Sequence, residues 1–154
     1  KKGRKHILYI IREMLDYHAE SRKTGIGQAV EFLTSVSKRR CTAFLLSDFY
    51  DRQDFMQQLT IANRKHDVVA IQVFDKRARE LPDVGLMKVV DAETGAEQYV
   101  DTSSRKLREQ YRRYWQKRQQ DLQEVFARSN VDNVSIATDE DFVKHLMGLF
   151  KQRG

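Results

Sequence analysis

The 154-residue sequence holds one cysteine and one proline. A single thiol, Cys41, excludes an internal disulfide and a zinc site built from several thiolates. It also favours a reducing compartment, so a cytoplasmic location is expected. No apolar run approaches the roughly 20 residues a helix needs to cross a bilayer. The basic start Lys1-Lys2-Gly3-Arg4 has no apolar stretch behind it, so no signal peptide is read there. Glycine patterns are equally scarce. There is no Gly-x-Ser-x-Gly elbow, Walker loop or dinucleotide fingerprint, and Gly25-Ile26-Gly27 is only a pair of glycines at a helix start. His6, His18, His66 and His145 are scattered, with no i, i+4 pair to grip a metal. These absences leave little for an enzyme to work with.

What is present is a globular balance. Lys and Arg number 28 against 22 Asp and Glu, a net charge of +6, with 40% hydrophobic residues and 32% charged. The mean hydropathy is −0.67. Aromatic and branched aliphatic residues are too plentiful for a disordered chain. Residues 1–154 are expected to form one domain unit. A fold of this size buries roughly 70% of its extended-chain surface, enough for a core without staples.

Hydrophobic spacing predicts the elements. Residues 5–19 carry Ile7, Leu8, Ile10, Ile11, Met14 and Leu15 on one helical face, and a polar turn over 21–27 follows. A second helix runs from Ile26 to about Lys38. Cys41–Ser47 is apolar without alternation, which predicts a strand buried on both faces, as in a parallel sheet. Asp51 is expected to cap a helix reaching about Arg64, with Asp54 adding negative charge to its first turn. Residues 67–74 predict a second buried strand, completing a βαβ unit. Beyond Pro82, residues 86–90 and 97–100 flank Gly95 as an antiparallel hairpin insertion. Thr102 or Ser103 is expected to cap a long helix reaching about Arg128. A third strand follows over 131–137, and then a final helix capped by Thr138.

In such sheets ligands gather outside the carboxyl ends of the strands. Asp48, Asp75 and Asp139 fall there and could line a cation site, although Asp is also common in turns and caps. Cys41 opens a strand with no histidine near it in sequence, and is expected to be a small buried filler. The helix after residue 104 carries Arg105, Lys106, Arg108, Arg112, Arg113, Lys117, Arg118 and Arg128. Tyr111, Tyr114 and Trp115 could stack bases beside that charge. They share a stripe with Leu107 and Leu122, however, so they are expected to face inward. An acidic protein partner could also meet this charge.

A series of short motifs, in order, carries a resemblance. They are Gly3-Arg4-Lys5-His6, Thr24 to Leu33, Phe44 to Phe49, His66 to Ala70, Glu80 to Leu86, Asp91 to Gly95, Val100 to Ser103 and Thr138 to Asp141. Over nearly its whole length the chain resembles the second half of a von Willebrand factor A-like domain. It is most similar to bacterial proteins catalogued as domain of unknown function fifty-eight, often encoded beside MoxR-type AAA+ ATPases. The resemblance implies a three-layer α/β fold, a partial Rossmann-like parallel sheet with the hairpin inserted.

The resemblance also implies a site. Such domains hold Mg²⁺ or another divalent cation in a metal-ion-dependent adhesion site, and the metal reaches for an acidic group on a partner. By position Thr24 matches the family's threonine and Asp48 its aspartate. The Asp-x-Ser-x-Ser loop is missing: Asp101-Thr102-Ser103-Ser104-Arg105 fails at its last position and lies in the wrong place. The first strand and its loop are then expected upstream of Lys1. On that reading the fragment alone holds no cofactor, and any membrane anchor lies outside it. The 41–47 strand would be an open edge, prone to pair with a second copy. The expected role is a protein-interaction module, not an enzyme, acting with a MoxR-type ATPase in assembling or maturing complexes. The alternative is a nucleic-acid-binding domain using helix 105–128. A hydrolase using Asp48 and Asp75 lacks an evident base or nucleophile.

Overall fold

The computed structural model describes residues 3–18, 24–51, 53–91 and 94–153. Five helices and two sheets are built in the order α1 (Arg4–Asp16), α2 (Ile26–Val36), β1 (Thr42–Ser47), α3 (Met56–Lys65), β2 (Asp67–Phe74), β3 (Leu86–Val90), β4 (Glu97–Asp101), α4 (Arg105–Ser129), β5 (Asp132–Ala137) and α5 (Phe142–Arg153). A 3₁₀ turn over Lys76–Arg79 follows β2. Within the predicted turns, Ser21 to Lys23 and Ala92-Glu93 lie outside the described residues.

β1, β2 and β5 form a parallel sheet with β2 at its centre. The pleat of β2 explains why its sequence is apolar throughout. Val68 and Ala70 join one core with Ile26 and Val30 of α2, Leu59 and Ala62 of α3, and Leu122 and Phe126 of α4. Val69 and Ile71 point to the other face, against Ile136 of β5 and Leu149 of α5. Alternate side chains of one strand therefore feed two cores, because successive Cβ atoms point to opposite faces. The result is a three-layer α/β fold, helices on both sides of a parallel sheet. β3 and β4 pair antiparallel as a separate hairpin. Gly95 takes φ 72° in its turn, a conformation that costs a glycine little.

β1 departs from the expectation of burial on both faces. It is an edge strand whose residues alternate between exposed and half-buried. Leu45 packs on the α3/α4 core. Phe44 meets Phe150 of α5 edge-on at 6.2 Å. The strand is apolar because both faces need apolar residues, yet among the described residues only β2 flanks it.

The helix starts also differ from expectation. α3 begins five residues after Asp51, and Asp54 accepts the Met56 N–H at 2.9 Å. Ser104, not Thr102 or Ser103, caps α4, accepting from the Leu107 N–H. Thr102 is instead fully buried. Its hydroxyl donates to Gly85 O at 2.7 Å and accepts from Val84 N at 3.2 Å, locking the hairpin to the start of α4. Thr138 donates its N–H to Phe74 O at 2.9 Å. Asp141 takes the Val143 N–H at 3.0 Å in the first turn of α5. In each case an oxygen side chain one to three residues along meets the free N–H groups of the first turn, which spacing alone does not separate.

Candidate functional site

The loop after β1 is held by its own side chains. Asp48 Oδ1 accepts the Tyr50 N–H at 2.9 Å, and Ser47 Oγ accepts the Phe49 N–H at 3.0 Å. This local bonding turns Phe49 into the left-handed region, φ 56°, which is unfavourable for a large side chain. Its buried ring offsets that cost. It packs edge-on to Phe126 at 5.1 Å and tilted against Phe55 at 6.2 Å.

A second loop is tied to the first. Asp51 Oδ2 accepts the Ile26 N–H at 2.8 Å while its Oδ1 accepts from Gln53 N at 2.9 Å. The half-buried Thr24 lies two residues before Ile26, and the exposed Asp48 three before Asp51. The Asp51 bond therefore brings the loops that bear these two residues to the same edge of the sheet.

α4 closes the other side. Arg118 Nη2 donates to Phe49 O at 3.2 Å and Asp51 O at 3.5 Å. Its guanidinium lies 4.0 Å from the centre of the Tyr50 ring, a stacked cation–π contact. Trp115 is 6.1 Å from Tyr50, 6.2 Å from Tyr111 and 5.8 Å from Tyr114, ring centre to ring centre. The aromatic residues of α4 thus pack on one another and on the loop after β1. Tyr111 also donates its hydroxyl to Ala78 O at 2.7 Å. Between the loop and α4 lies a cleft of about 270 Å³, with Asp48, Asp51, Asp54, Gln72, Trp115 and Arg118 in its wall.

Beneath the cleft runs a chain of amides. Gln72 is buried in β2, and its Oε1 accepts from Gln119 Nε2 at 3.0 Å and Ser135 Oγ at 2.8 Å. Its Nε2 donates to Asp48 O at 3.4 Å. Gln119 Oε1 then accepts from Arg79 at 3.1 Å. The Arg79 guanidinium sits 3.3 Å from the centre of the Phe74 ring. Burial lowers its pKa from the ordinary guanidinium value. The strand ends and α4 are so joined by side chains whose donors and acceptors satisfy each other.

The other acidic candidates do not converge on Asp48. Asp75 accepts from Arg77 N at 2.8 Å and caps the 3₁₀ turn. Asp139 pairs with Lys76 at 3.1 Å. Among the described residues no three His, Cys, Asp or Glu side chains are grouped to hold a metal. Both Asp51 oxygens hold backbone N–H groups, so Thr24 and Asp48 alone are a thin donor set for an ion that wants six oxygens. The Asp101–Ser104 segment has local roles. Asp101 takes Ser103 Oγ at 2.6 Å and Ser103 N at 3.0 Å. Those bonds to Ser103 lower its carboxyl pKa from the ordinary 3.8.

Residues 1–121 match the family described as protein of unknown function DUF58. The chain belongs to this family. It is 27% identical over 128 residues to an uncharacterized protein of Mycobacterium avium, covering 83% of this chain and 75% of that protein. It is 30% identical over 130 residues to an uncharacterized protein of Mycobacterium tuberculosis, covering 83% of this chain and 40% of that protein. A crystal structure of an uncharacterized membrane-spanning protein from Vibrio fischeri aligns with 95% of this DUF58 chain and 66% of its own, at 16% identity and a TM-score of 0.33. Among the described residues no helix is long and apolar enough to cross a membrane. The DUF58 match ends inside α4, so β5 and α5 lie beyond it.

A second surface of this DUF58 chain is the free edge of β1. Phe44 is 46% and Leu46 66% exposed there. α1 buries none of its residues and leaves Ile7, Leu8, Ile11, Met14 and Leu15 exposed. The apolar face read from its sequence is real, but the described residues do not cover it.

Sequence reasoning missed Asp51, Gln72 and Arg118 as the frame of the cleft. Arg118 was legible only as one cation among many. A glutamine inside an otherwise apolar strand was the one available signal. Cys41 corrects a prediction outright. It is exposed, not buried, and its Sγ lies 3.4 Å from His66 Nδ1. The partner is 25 residues away, so local sequence could not reveal it.

Proposed function

We propose that this DUF58 chain is a protein-interaction module of von Willebrand A-like type. In longer relatives it would work with a MoxR-type AAA+ ATPase in assembling or maturing protein complexes. The observation that carries this is the edge of β1, which among the described residues pairs only with β2 and leaves Phe44 and Leu46 exposed. An edge of this kind accepts an extended segment as an added strand. The occupant proposed for this chain is a segment of a partner protein with alternating apolar side chains and acidic flanks, for which a first strand upstream of Lys1 would compete in the longer protein. Two copies of a chain with net charge +6 repel each other, whereas an acidic partner is drawn in. In the longer protein Thr24 and Asp48 would lend oxygens to a divalent cation at the neighbouring loops.

The test is hydrogen exchange on this chain with and without a purified MoxR-type AAA+ ATPase. Slowed exchange confined to residues 42–47, lost in Leu46→Lys, is the expected result. Unchanged exchange at 42–47 in a formed complex would move the interface elsewhere. Protection in the chain alone that rises with its concentration would replace the partner by a second copy.

Nucleic-acid binding through α4 is less favoured. Its aromatic residues pack mainly on each other, and Arg113, Lys117 and Arg128 pair with Glu109, Asp121 and Glu124 one turn away. Weak duplex or single-strand binding with a shallow salt dependence is expected.

A further inference from the structure

We propose that the cleft between α4 and the 3₁₀ turn binds an extended peptide segment by a carboxylate, held by Arg79 and Arg112, while a row of glutamines takes its main chain. The proposal is independent of what docks along β1. The cleft measures about 860 Å³ and lies beside the one next to Asp48, with Trp115 and Gln119 bordering both. That volume suits an organic ligand larger than a single ion.

The walls hold cations without counterions. Arg79 is half-buried, and burial alone lowers its pKa, so no carboxylate offsets the water it has lost. Stacking on Phe74 at 3.3 Å and one hydrogen bond to Gln119 at 3.1 Å fix its plane. Its remaining N–H groups have no partner among the described residues. Arg112 is exposed and has no ion pair or hydrogen bond among the described residues. Its neighbours differ, since Arg108 pairs with Asp83 at 3.0 Å and Arg113 with Glu109 at 3.1 Å. Of the two carboxylates in the wall, Glu124 already faces Arg128 at 3.7 Å. Glu80 alone opposes the two guanidiniums. One excess positive charge matches a carboxylate better than the double charge of a phosphate group. A guanidinium binds a carboxylate through paired, charge-assisted N–H bonds.

The rest of the wall is amide. Arg112, Gln116, Gln120 and Gln123 recur three and four residues apart, so they form one row along α4. The row spans about 16 Å at 1.5 Å per residue, the length of roughly five residues of extended chain. The side chains of Gln116, Gln120 and Gln123 make no hydrogen bond among the described residues. Each offers a donor and an acceptor, as a peptide group does. A peptide with its carboxylate at the arginines can therefore lay its main chain along the glutamines. Trp115 is hemmed in by the rings of Tyr50, Tyr111 and Tyr114, which leaves little ring face to stack a nucleobase.

The experiment titrates the intact ¹⁵N-labelled chain with capped peptides and follows backbone, glutamine side-chain and indole signals by NMR. Trp115 is the sole tryptophan, so its buried indole N–H gives one signal at the cleft. The probes are acetyl-Ser-Gly-Ser-Glu-Ser-Gly-Ser-amide and the same peptide with Gln in place of Glu. The Glu peptide is expected to bind about fivefold tighter or more, the part of a charge-assisted bond that survives partial exposure. It should shift the indole signal and those of residues 112–123. Arg112→Gln should bring its affinity down to that of the Gln peptide and leave the Gln peptide unchanged. Glu80→Gln should tighten the Glu peptide about twofold by removing an exposed like charge, a gain that a purely structural Glu80 would not give. Gln116→Ala/Gln120→Ala should weaken both peptides alike. Acetyl-Ser-Gly-Ser-Gln with a free carboxyl end separates the two sources of the carboxylate. Tighter binding than the Glu peptide assigns it to a chain terminus, weaker binding to an acidic side chain, and both support the proposal. Equal affinity of the Glu and Gln peptides, no binding of either at millimolar concentration, or shifts confined to other surfaces overturns it. Tighter binding of AMP or inorganic phosphate than of the Glu peptide also overturns it, making the cleft a phosphate site.

Discussion

The Asp51 carboxylate accepts the Ile26 N–H at 2.8 Å, joining the start of α2 to the loop after β1. One side chain thereby sets the spacing of the two loops that carry Thr24 and Asp48. Asp51→Ala should cost about 1–3 kcal/mol, the range for removing a partner of partly buried N–H groups. Urea unfolding followed by circular dichroism measures this. Asp51→Asn should lie between it and the native chain. A midpoint unchanged in both variants would mean the loops are held by something else.

Arg118 should matter more for its shape than for its charge. Its fork reaches two carbonyls while its plane stacks on Tyr50. A lysine keeps the charge and loses both. Arg118→Lys is therefore expected to lose most of the stability lost by Arg118→Met, about 1–2 kcal/mol for a half-buried charged donor. The fluorescence of Trp115, the sole tryptophan, should shift in both. Full rescue by lysine would reduce the role of Arg118 to simple charge.

The free edge makes a prediction about association without folding. Leu46 is 66% exposed, so Leu46→Lys should leave the thermal midpoint nearly unchanged, within about 0.5 kcal/mol. It should abolish any self-association or partner binding along β1. Light scattering and melting on the same samples separate the two. A large drop in stability would show that Leu46 is packed in solution.

The loop after β5 should respond to acid. Lys76 bridges Glu140 at 2.9 Å and Asp139 at 3.1 Å. Its hydrogen bond lowers the Glu140 carboxyl pKa from the ordinary 4.5, with help from Ala137 N and from His145. The hydrogen bond to Glu140 and then that to Asp139 raise the Lys76 pKa above 10.5. A depressed carboxylate contributes stability above its unfolded value that disappears as pH falls through the folded one. A raised ammonium contributes below 10.5 and fades as pH climbs through its folded value. The bridge should therefore persist across neutral pH and open in acid below about 4.5. Carboxyl NMR should place the Glu140 midpoint below 4.5, and Lys76→Met should move it upward. High salt should weaken the bridge, since it is exposed.

α4 ends on Asn130 in the left-handed conformation, φ 52°. Asn130→Gly should be neutral or slightly stabilising. Asn130→Val should cost about 1–2 kcal/mol, because a β-branched side chain crowds the carbonyl there. Equal melting of the two variants would contradict this.

Much of the element order was legible because it rests on local patterns. The β2 strand reads directly from its run of apolar residues. The hairpin reads from Gly95 between two short apolar segments, and α4 from its stripe. The candidate site was legible only in part. Asp48 follows a strand and is visible as such. Its neighbours in space, Gln72, Arg118 and Gln119, sit on two other elements with no shared spacing. Cap residues were read a few positions early, since several adjacent oxygen side chains suit the same N–H groups.

The sequence by itself determined the periods, and hence helices, strands and which residues of each would be apolar. It also determined the charge, the single thiol and the family. Tertiary structure decided what each apolar face meets. The side chains of β2 alternate into two cores, whereas those of the equally apolar β1 reach only one neighbouring strand. It decided as well that Cys41 meets His66 and that Asp51 meets Ile26. These pairs are 25 residues apart. Contacts of that range depend on how the strands align in the sheet, which no local pattern encodes.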